Sequence, residues 1–228
     1  NNENPDASAA LDITSTTGGL LPPRMTTTQR DAISAAKGLV LFNITTNTLQ
    51  INEGDATTAN WVSLTASTCG LSIGDTHQGG IIFYLDGSGC HGLVAATTNQ
   101  STSASWYNGN SIDTRAYGSG LFEGKYNTAM INNTQGGASS AAAICGNLSL
   151  GGYNDWYLPS IEELNKMYQN IGQGNTLGLG NVGNFANNYY WSSTEYDSSD
   201  AWYQVFDSGS QDYYFKGLTF YVRAVRAF

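Results

Sequence analysis

Two histidines and three cysteines are the residues of this chain best equipped for covalent or metal chemistry, and their spacing speaks against it. Cys90 and His91 are adjacent, and neighbours on a strand point to opposite faces, which makes them a poor nucleophile–base dyad. His77 has no obvious serine or cysteine partner. With no CxxC and so few histidines, a structural zinc site is not expected. The chain reads as a protein without catalysis. Cys69, Cys90 and Cys145 allow at most one disulfide. A Cys69–Cys90 bond would close a short loop, while the odd count fits a reducing compartment equally well.

The chemistry of binding is better represented. Residues 187–217 read NNYYWSSTEYDSSDAWYQVFDSGSQDYYFKG, and seven of the fourteen tyrosines lie at or beyond position 189. A core strand would alternate apolar and polar residues, and this stretch does so only in pieces. Its composition is that of a contact surface: Tyr for large, rigid, amphipathic area, and Ser, Gly and Asp for adaptable hydrogen bonding. Glu195, Asp197, Asp200, Asp207 and Asp212 make it acidic, with no base before Lys216. Calcium needs six to eight converging oxygens, and the acids lack the spacing of an EF-hand loop. They are read as solvated acids or as acids facing a basic ligand, so no cofactor is expected and calcium is a minor alternative.

The elements that must hold this surface are legible in part. Residues 26–28 cap a short helix expected through about Ala36. Strands are expected at 39–43, 49–51 and 61–64, a module thin enough to need a partner, met by trimerisation. From Cys69 onward, a strand at 81–85 and a return at 92–96 precede a small-residue helix at 137–145. Ser160 and Glu163 form a capping box, and Ile161, Leu164, Tyr168 and Ile171 give one helical stripe that Gly172 ends. A Gly- and Asn-rich loop follows to 188, and a closing strand at 221–227 is expected beside 81–85. Trp191 and Trp202 are expected to pack the core. Arg223 and Arg226, three apart, face opposite sides of the closing strand, and at least one is expected to pair with Glu195 or Asp155.

Bulk properties close off other classes. The net charge is −9 and the nine basic residues are scattered, which excludes nucleic acid as a partner. No apolar run approaches the roughly 18–20 residues that span a bilayer, so membrane insertion is not expected. The chain begins at Asn1 and is read as a fragment or processed form. Only 12% of residues are charged, so solubility rests on Asn, Ser, Thr and Gly, as on many extracellular and virion surfaces.

Several ordered blocks resemble a known family. They are Gly74-Asp75, Gly79-Gly80-Ile81-Ile82-Phe83-Tyr84-Leu85 and Gly92-Leu93-Val94-Ala95-Ala96, then Gly152-Tyr153-Asn154-Asp155-Trp156-Tyr157-Leu158-Pro159-Ser160 with Glu163-Leu164. Tyr190-Trp191-Ser192-Ser193-Thr194-Glu195 and Val222-Arg223-Ala224-Val225-Arg226 complete the set. Together they resemble the Lcl C-terminal domain over about 72–228, which implies a C-type-lectin-like fold. Of the signatures of calcium-dependent sugar-binding lectins, Glu-Pro-Asn and Trp-Asn-Asp, neither is present, nor are the late paired cysteines of formylglycine-generating enzymes. The segment from Asn4 to Asp12 and from Gly19 to Thr26 is similar to a module recurring in phage tail fibres and some bacterial surface proteins.

The tail also resembles the variable region of proteins diversified by retroelements, in which template Asn codons are mutated at adenines. Randomised AAC or AAT codons yield Tyr, Ser, Asp, Gly, Phe, Leu, Val or Thr among others, but never Trp, Gln, Glu, Lys or Met. The resemblance therefore implies that Glu195, Trp202, Gln204, Gln211 and Lys216 are constant. It offers Tyr196, Asp197, Ser199, Asp200, Tyr203, Asp207, Ser208, Ser210, Asp212, Tyr213, Tyr214, Phe215, Gly217, Leu218, Thr219 and Phe220 for variation. All of these except Gly217 and Thr219 are the candidate ligand-binding residues. Trp156, Trp191, Glu195, Trp202, Lys216, Arg223 and Arg226 are the candidate scaffold.

The expectation is an α+β protein in which a β-rich attachment and trimerisation module at 1–68 carries a C-type-lectin-like ligand-binding domain at 69–228. The variable region covers about 189–221. The expected role is a receptor-binding homotrimer at a phage tail-fibre tip, whose partner is a host cell-surface protein or glycan. A bacterial cell-surface adhesin for glycans or matrix, and a purely structural virion cap, are the alternatives.

Overall fold

The computed structural model describes residues 18–64, 69–137 and 139–228. The first motif block, from Asn4 to Asp12, lies outside them. The chain divides into two compact units, Asn1–Ser67 and Thr68–Phe228.

In the first unit β1 (Arg24–Met25), β2 (Val40–Asn43), β3 (Thr48–Asn52) and β4 (Trp61–Ser63) form one sheet in that order, with β1 parallel to β2 and the rest antiparallel. Helix α1 (Thr27–Asp31) starts at a capping box. The Gln29 N–H donates to the Thr26 hydroxyl at 3.2 Å, and the Thr26 N–H donates to the Gln29 side chain at 2.9 Å. The helix ends at Asp31 and does not reach Ala36. Beyond it the Asn52 amide donates to the carbonyls of Ala35, at 2.6 Å, and Ala36, at 3.3 Å. That side chain draws the backbone out of helical geometry.

The second unit has two sheets. One runs β11 (Gln211–Phe215), β10 (Asp200–Val205), β9 (Tyr189–Glu195), β12 (Thr219–Val222), β8 (Ser101–Ser105). The other runs β13 (Val225–Ala227), β7 (Gly92–Ala96), β6 (Gly80–Leu85), β5 (Thr76–His77). All pairings are antiparallel except β9 with β12. Strand β7 is buried throughout, hence its unbroken apolar run. Val94 and Ala96 join a cluster with Trp106, Trp156, Leu158 and Trp191, while Leu93 and Ala95 join one with Phe83, Leu164, Met167 and Phe206.

The closing strand departs from expectation. It breaks after Val222, so that β12 pairs with β8 and β9 while β13 pairs with β7 and not with β6. Strand β6 is already flanked by β5 and β7, which leaves no free edge. Cys69 and Cys90 are joined in a disulfide, and Cys145 is free and buried, where desolvation pushes its thiol pKa well up.

Three helices pack on these sheets: α2 (Glu123–Gln135), α3 (Ala141–Gly146) and α4 (Ile161–Ile171). Helix α3 is shorter than the expected 137–145, because Ser140 caps it by accepting from Ala143 N–H at 3.2 Å. Helix α4 keeps the expected capping box. Its Glu163 is itself buried, accepting from Ser160 N–H at 2.7 Å, Phe122 N–H at 2.8 Å and the Tyr157 hydroxyl at 3.1 Å. Helix α2 crosses this cap at Gly124, where a Cβ would collide with the Glu163 carboxylate. No described helix is long and apolar enough to cross a membrane.

Candidate functional site

The acidic tail folds as β9, β10 and β11, with β11 at the sheet edge and all five of its residues exposed. Its register places Trp202 opposite Tyr213, and Asp200 opposite Phe215. The Tyr196 and Tyr213 rings stack at 3.6 Å and 3°, and Trp202 meets both edge-on at 5.9 and 5.5 Å. The two contacts of Trp202 have the preferred edge-to-face geometry, and with the parallel tyrosine pair they brace the three rings without burial in a core.

Two clefts open on this aromatic group. The larger, of about 380 Å³, is lined by Tyr117, Ser119, Ile161, Thr194, Glu195, Tyr196, Trp202 and Gln211. The smaller, of about 250 Å³, is lined by Asp200, Tyr213, Tyr214 and Phe215.

Beneath the surface lies a buried polar hub. The Lys216 ammonium sits 2.5 Å from Glu195 Oε1, donates to the Asp197 carbonyl at 2.6 Å, and lies 4.6 Å from the centre of the Trp106 ring. Both side chains of the pair are fully buried. The Glu195 carboxylate also accepts from the Thr114 N–H, at 3.0 and 2.9 Å, and from its hydroxyl at 2.9 Å. Burying such a pair costs desolvation that only a full set of partners offsets. Here the partners are drawn from 112–114, from the end of β9 and from the end of β11. At the other end of the hairpin, the Gln211 amide donates to the Ile161 carbonyl at 3.1 Å and to buried Gln204 at 2.9 Å. The two ends of β11 are thus clamped, and what lies between them is exposed.

The arginines share the scaffold role unequally. Arg226 makes a bidentate pair with Asp155, at 2.7 and 3.1 Å, and its guanidinium holds the Asp155 carboxyl below the usual carboxylate range. Among the described residues Arg223 has no carboxylate partner: it donates to Asn99 Oδ1 at 2.9 Å and to the carbonyls of Ala96, Gly183 and Asn184. Burial lowers its pKa to about 10. Trp156 and Trp191 are core residues, whereas Trp202 is only half-buried and lines the larger cleft.

The candidate ligand-binding residues fall into three groups. Tyr196, Asp200, Tyr213, Tyr214 and Phe215 line the clefts, with Asp197, Ser199 and Asp212 beside them. Asp197 accepts from the N–H groups of Ser199 and Asp200 at 2.7 and 2.8 Å, which shapes the β9–β10 turn. Asp207, Ser208 and Ser210 sit at the opposite turn and line neither cleft, and Leu218 is exposed in the β11–β12 turn. Tyr203 and Phe220 are turned inward: Phe220 packs 4.3 Å from Trp191, and Tyr203 lies 5.1 Å from Phe220. Tyr117, Ser119 and Ile161, which come from outside the tail, complete the larger cleft and carry no sequence signal that would have placed them there. Trp106, whose indole donates to the Ser192 carbonyl at 2.8 Å, and Thr114 are further parts of the hub that sequence reading missed. Among the described residues no group of three or more His, Cys, Asp or Glu gathers as a metal site.

Comparison with known proteins agrees with the resemblances to the tail-fibre module and to the Lcl C-terminal domain. No curated protein matches the chain. Residues 1–77 match the phage tail like trimerisation region. Residues 95–226 match the Lcl C-terminal domain, so the blocks from Gly74 to Val94 lie ahead of that match. This second match covers more than half of the chain and includes both clefts, the hub and both arginines, and the chain belongs to the Lcl C-terminal domain family.

Proposed function

We propose that this protein is a receptor-binding adhesin of a phage tail fibre, a homotrimer whose C-type-lectin-like second unit presents the β10–β11 surface to a host cell-surface molecule. Its action is adhesion without catalysis or cofactor, at the fibre tip of the virion. The observation that carries this reading is the contrast across β11. An edge strand exposed on both faces, rich in aromatics, is clamped at each end by buried side chains. Exposed hydrophobic surface of this kind marks interaction sites, and Tyr and Trp dominate binding energy where they are presented. The phage tail like trimerisation region and the Lcl C-terminal domain fit a tail-fibre or adhesin-like protein. Three copies on one fibre would raise avidity without any new contact.

Diversification of the tail is part of the proposal. Of the five residues that adenine mutagenesis cannot produce, Glu195, Gln204 and Lys216 are buried, Gln211 bonds to two neighbours, and Trp202 is half-buried. The offered positions are mostly exposed. Sequencing the gene and its downstream DNA across isolates tests this. A nearby copy differing only at template adenines, beside a reverse transcriptase, is the expected result. A constant tail with no such copy overturns diversification and leaves an adhesin with one fixed ligand. Independently, alanine at Tyr213 and Tyr214 is expected to abolish adsorption to host cells. A folded double variant that adsorbs normally overturns the surface assignment.

A further inference from the structure

Resting on the reading of this surface as a receptor-binding site, we infer that the smaller cleft takes a cationic side chain, lysine or arginine, from an extended segment of a host surface protein. Its lining residues are one acid and three aromatics: Asp200, Tyr213, Tyr214 and Phe215, of which Asp200 and Phe215 stand opposite each other in the register. The faces of such rings carry negative potential and attract ammonium and guanidinium groups at close range. The Asp200 carboxylate has no ion-pair or hydrogen-bond partner among the described residues. Its backbone carbonyl, by contrast, is used, accepting from the Tyr196 and Asp197 N–H groups at 3.0 and 3.2 Å. An acid left unpaired among aromatic residues is complementary to a cation.

The surroundings reinforce this choice. Asp197, Asp207 and Asp212 are exposed on the same tail, and its one cation before Arg223, Lys216, is buried and paired. An anionic ligand such as a phosphorylated or acidic glycan would be repelled, whereas a basic one would be steered in. A cavity of about 250 Å³ is smaller than the roughly 300–1,000 Å³ of small-molecule pockets and suits a single side chain. The carrier is a polypeptide because β11 is an open sheet edge. Alternate residues of an edge strand turn N–H and C=O groups outward, and an extended peptide pairs with them while its side chains fill adjacent pockets.

The test uses the full chain and two acetylated, amidated peptides alternating serine with arginine or with citrulline, which keeps the shape and removes the charge. Calorimetric titration is expected to show the arginine peptide binding roughly tenfold tighter, an advantage that shrinks at high salt and disappears in Asp200→Asn. Asp200→Asn retains the backbone bonds of the turn, and an unchanged melting temperature checks that it folds. Equal affinity for the two peptides, or binding of neither, overturns the inference. Host-cell adsorption separates the two levels. If Tyr213→Ala with Tyr214→Ala abolishes adsorption and Asp200→Asn leaves it intact, the cationic ligand is wrong and the receptor-binding reading stands. If all three substitutions leave adsorption intact, the receptor-binding reading itself falls.

Discussion

Among the described residues of the first unit, Ala35 and Leu41 are the buried apolar side chains, and Asn43, Gln50 and Asn52 are buried beside them. Leu20, Leu21, Ile44 and Leu64 stand exposed. The second unit buries Phe83, Trp106, Leu158, Leu164, Trp191 and Phe206 in two clusters, and Tyr117, Tyr196, Tyr213, Tyr214 and Phe215 stand exposed at β11 and the clefts beside it. In the first unit polar bonds between short strands stand in for a core, and on the proposed homotrimer its exposed apolar area is covered by other copies of the chain. The second has a core of its own, and on the proposed reading its exposed aromatics at β11 serve a ligand. On that proposal exposed apolar surface has two meanings in one molecule, and the core beneath it tells them apart.

The sharpest way to break this contrast is to damage the hub. Lys216→Met leaves Glu195 buried without its cation and is expected to destabilise the second unit by about 3–5 kcal/mol, read from denaturant unfolding. Pairing it with Glu195→Gln should recover part of the loss, since the uncompensated charge is then gone as well. A double variant no more stable than the single one would mean that the carboxylate is held by Thr114 alone.

Next in size is a pH effect confined to the second unit. Burial pushes Glu163 from 4.5 up to about 7. The native chain therefore holds that proton more tightly than the unfolded chain, and stability falls as pH rises between those two values. The loss above the window is on the order of 3 kcal/mol, and the melting temperature of Glu163→Gln should lack this slope. Parallel pH profiles for the two proteins would show that the carboxylate is fully compensated by its three donors.

Dilution addresses the first unit. If its apolar surface is covered by other copies, tenfold dilution of the full chain lowers the stability of that unit by about 1 kcal/mol per chain and leaves the second unchanged. Calorimetry at two concentrations reads both transitions, and two immobile transitions would remove the distinction drawn above. The smallest effect is expected on β11 itself. Tyr214→Ser and Asp212→Ser should each change stability by less than about 0.5 kcal/mol, because both side chains are exposed and neither joins the ring packing that Tyr213 makes with Tyr196 and Trp202.

What sequence patterns conveyed depended on how local the physics was. The capping box at Ser160 and the threonine cap within 26–28 were readable because every partner lies within four residues, although Gln29, which completes a box at Thr26, was not picked out. Helix α2 was not. Its buried side is Gly124, Asn127, Thr128, Ile131 and Gln135, so no apolar stripe exists to be read. Asn127 earns its burial by donating to the Gly118 carbonyl at 2.6 Å, a contact that no periodicity encodes. The division of the closing strand between two sheets was equally hidden, since it depends on which edges β8 and β7 leave open. In the candidate site, codon logic marked the hub residues Glu195 and Lys216, yet Thr114 and Trp106 joined them from about a hundred residues away in sequence.

The clamps at Gln211 and Lys216 carry a further consequence for β11. An ordinary half-buried strand keeps its register because a one-residue slip would turn its apolar side outward. Both faces of β11 are exposed, so its side-chain pattern exerts no such hold. Register is kept by the two clamped residues, Gln211 two positions before Tyr213 and Lys216 directly after Phe215. A substitution between them leaves the count intact, but an inserted or deleted residue would pull the lysine out of its cage beside Trp106 or the glutamine off the Ile161 carbonyl. Novelty can enter this surface by changing letters and not by changing length.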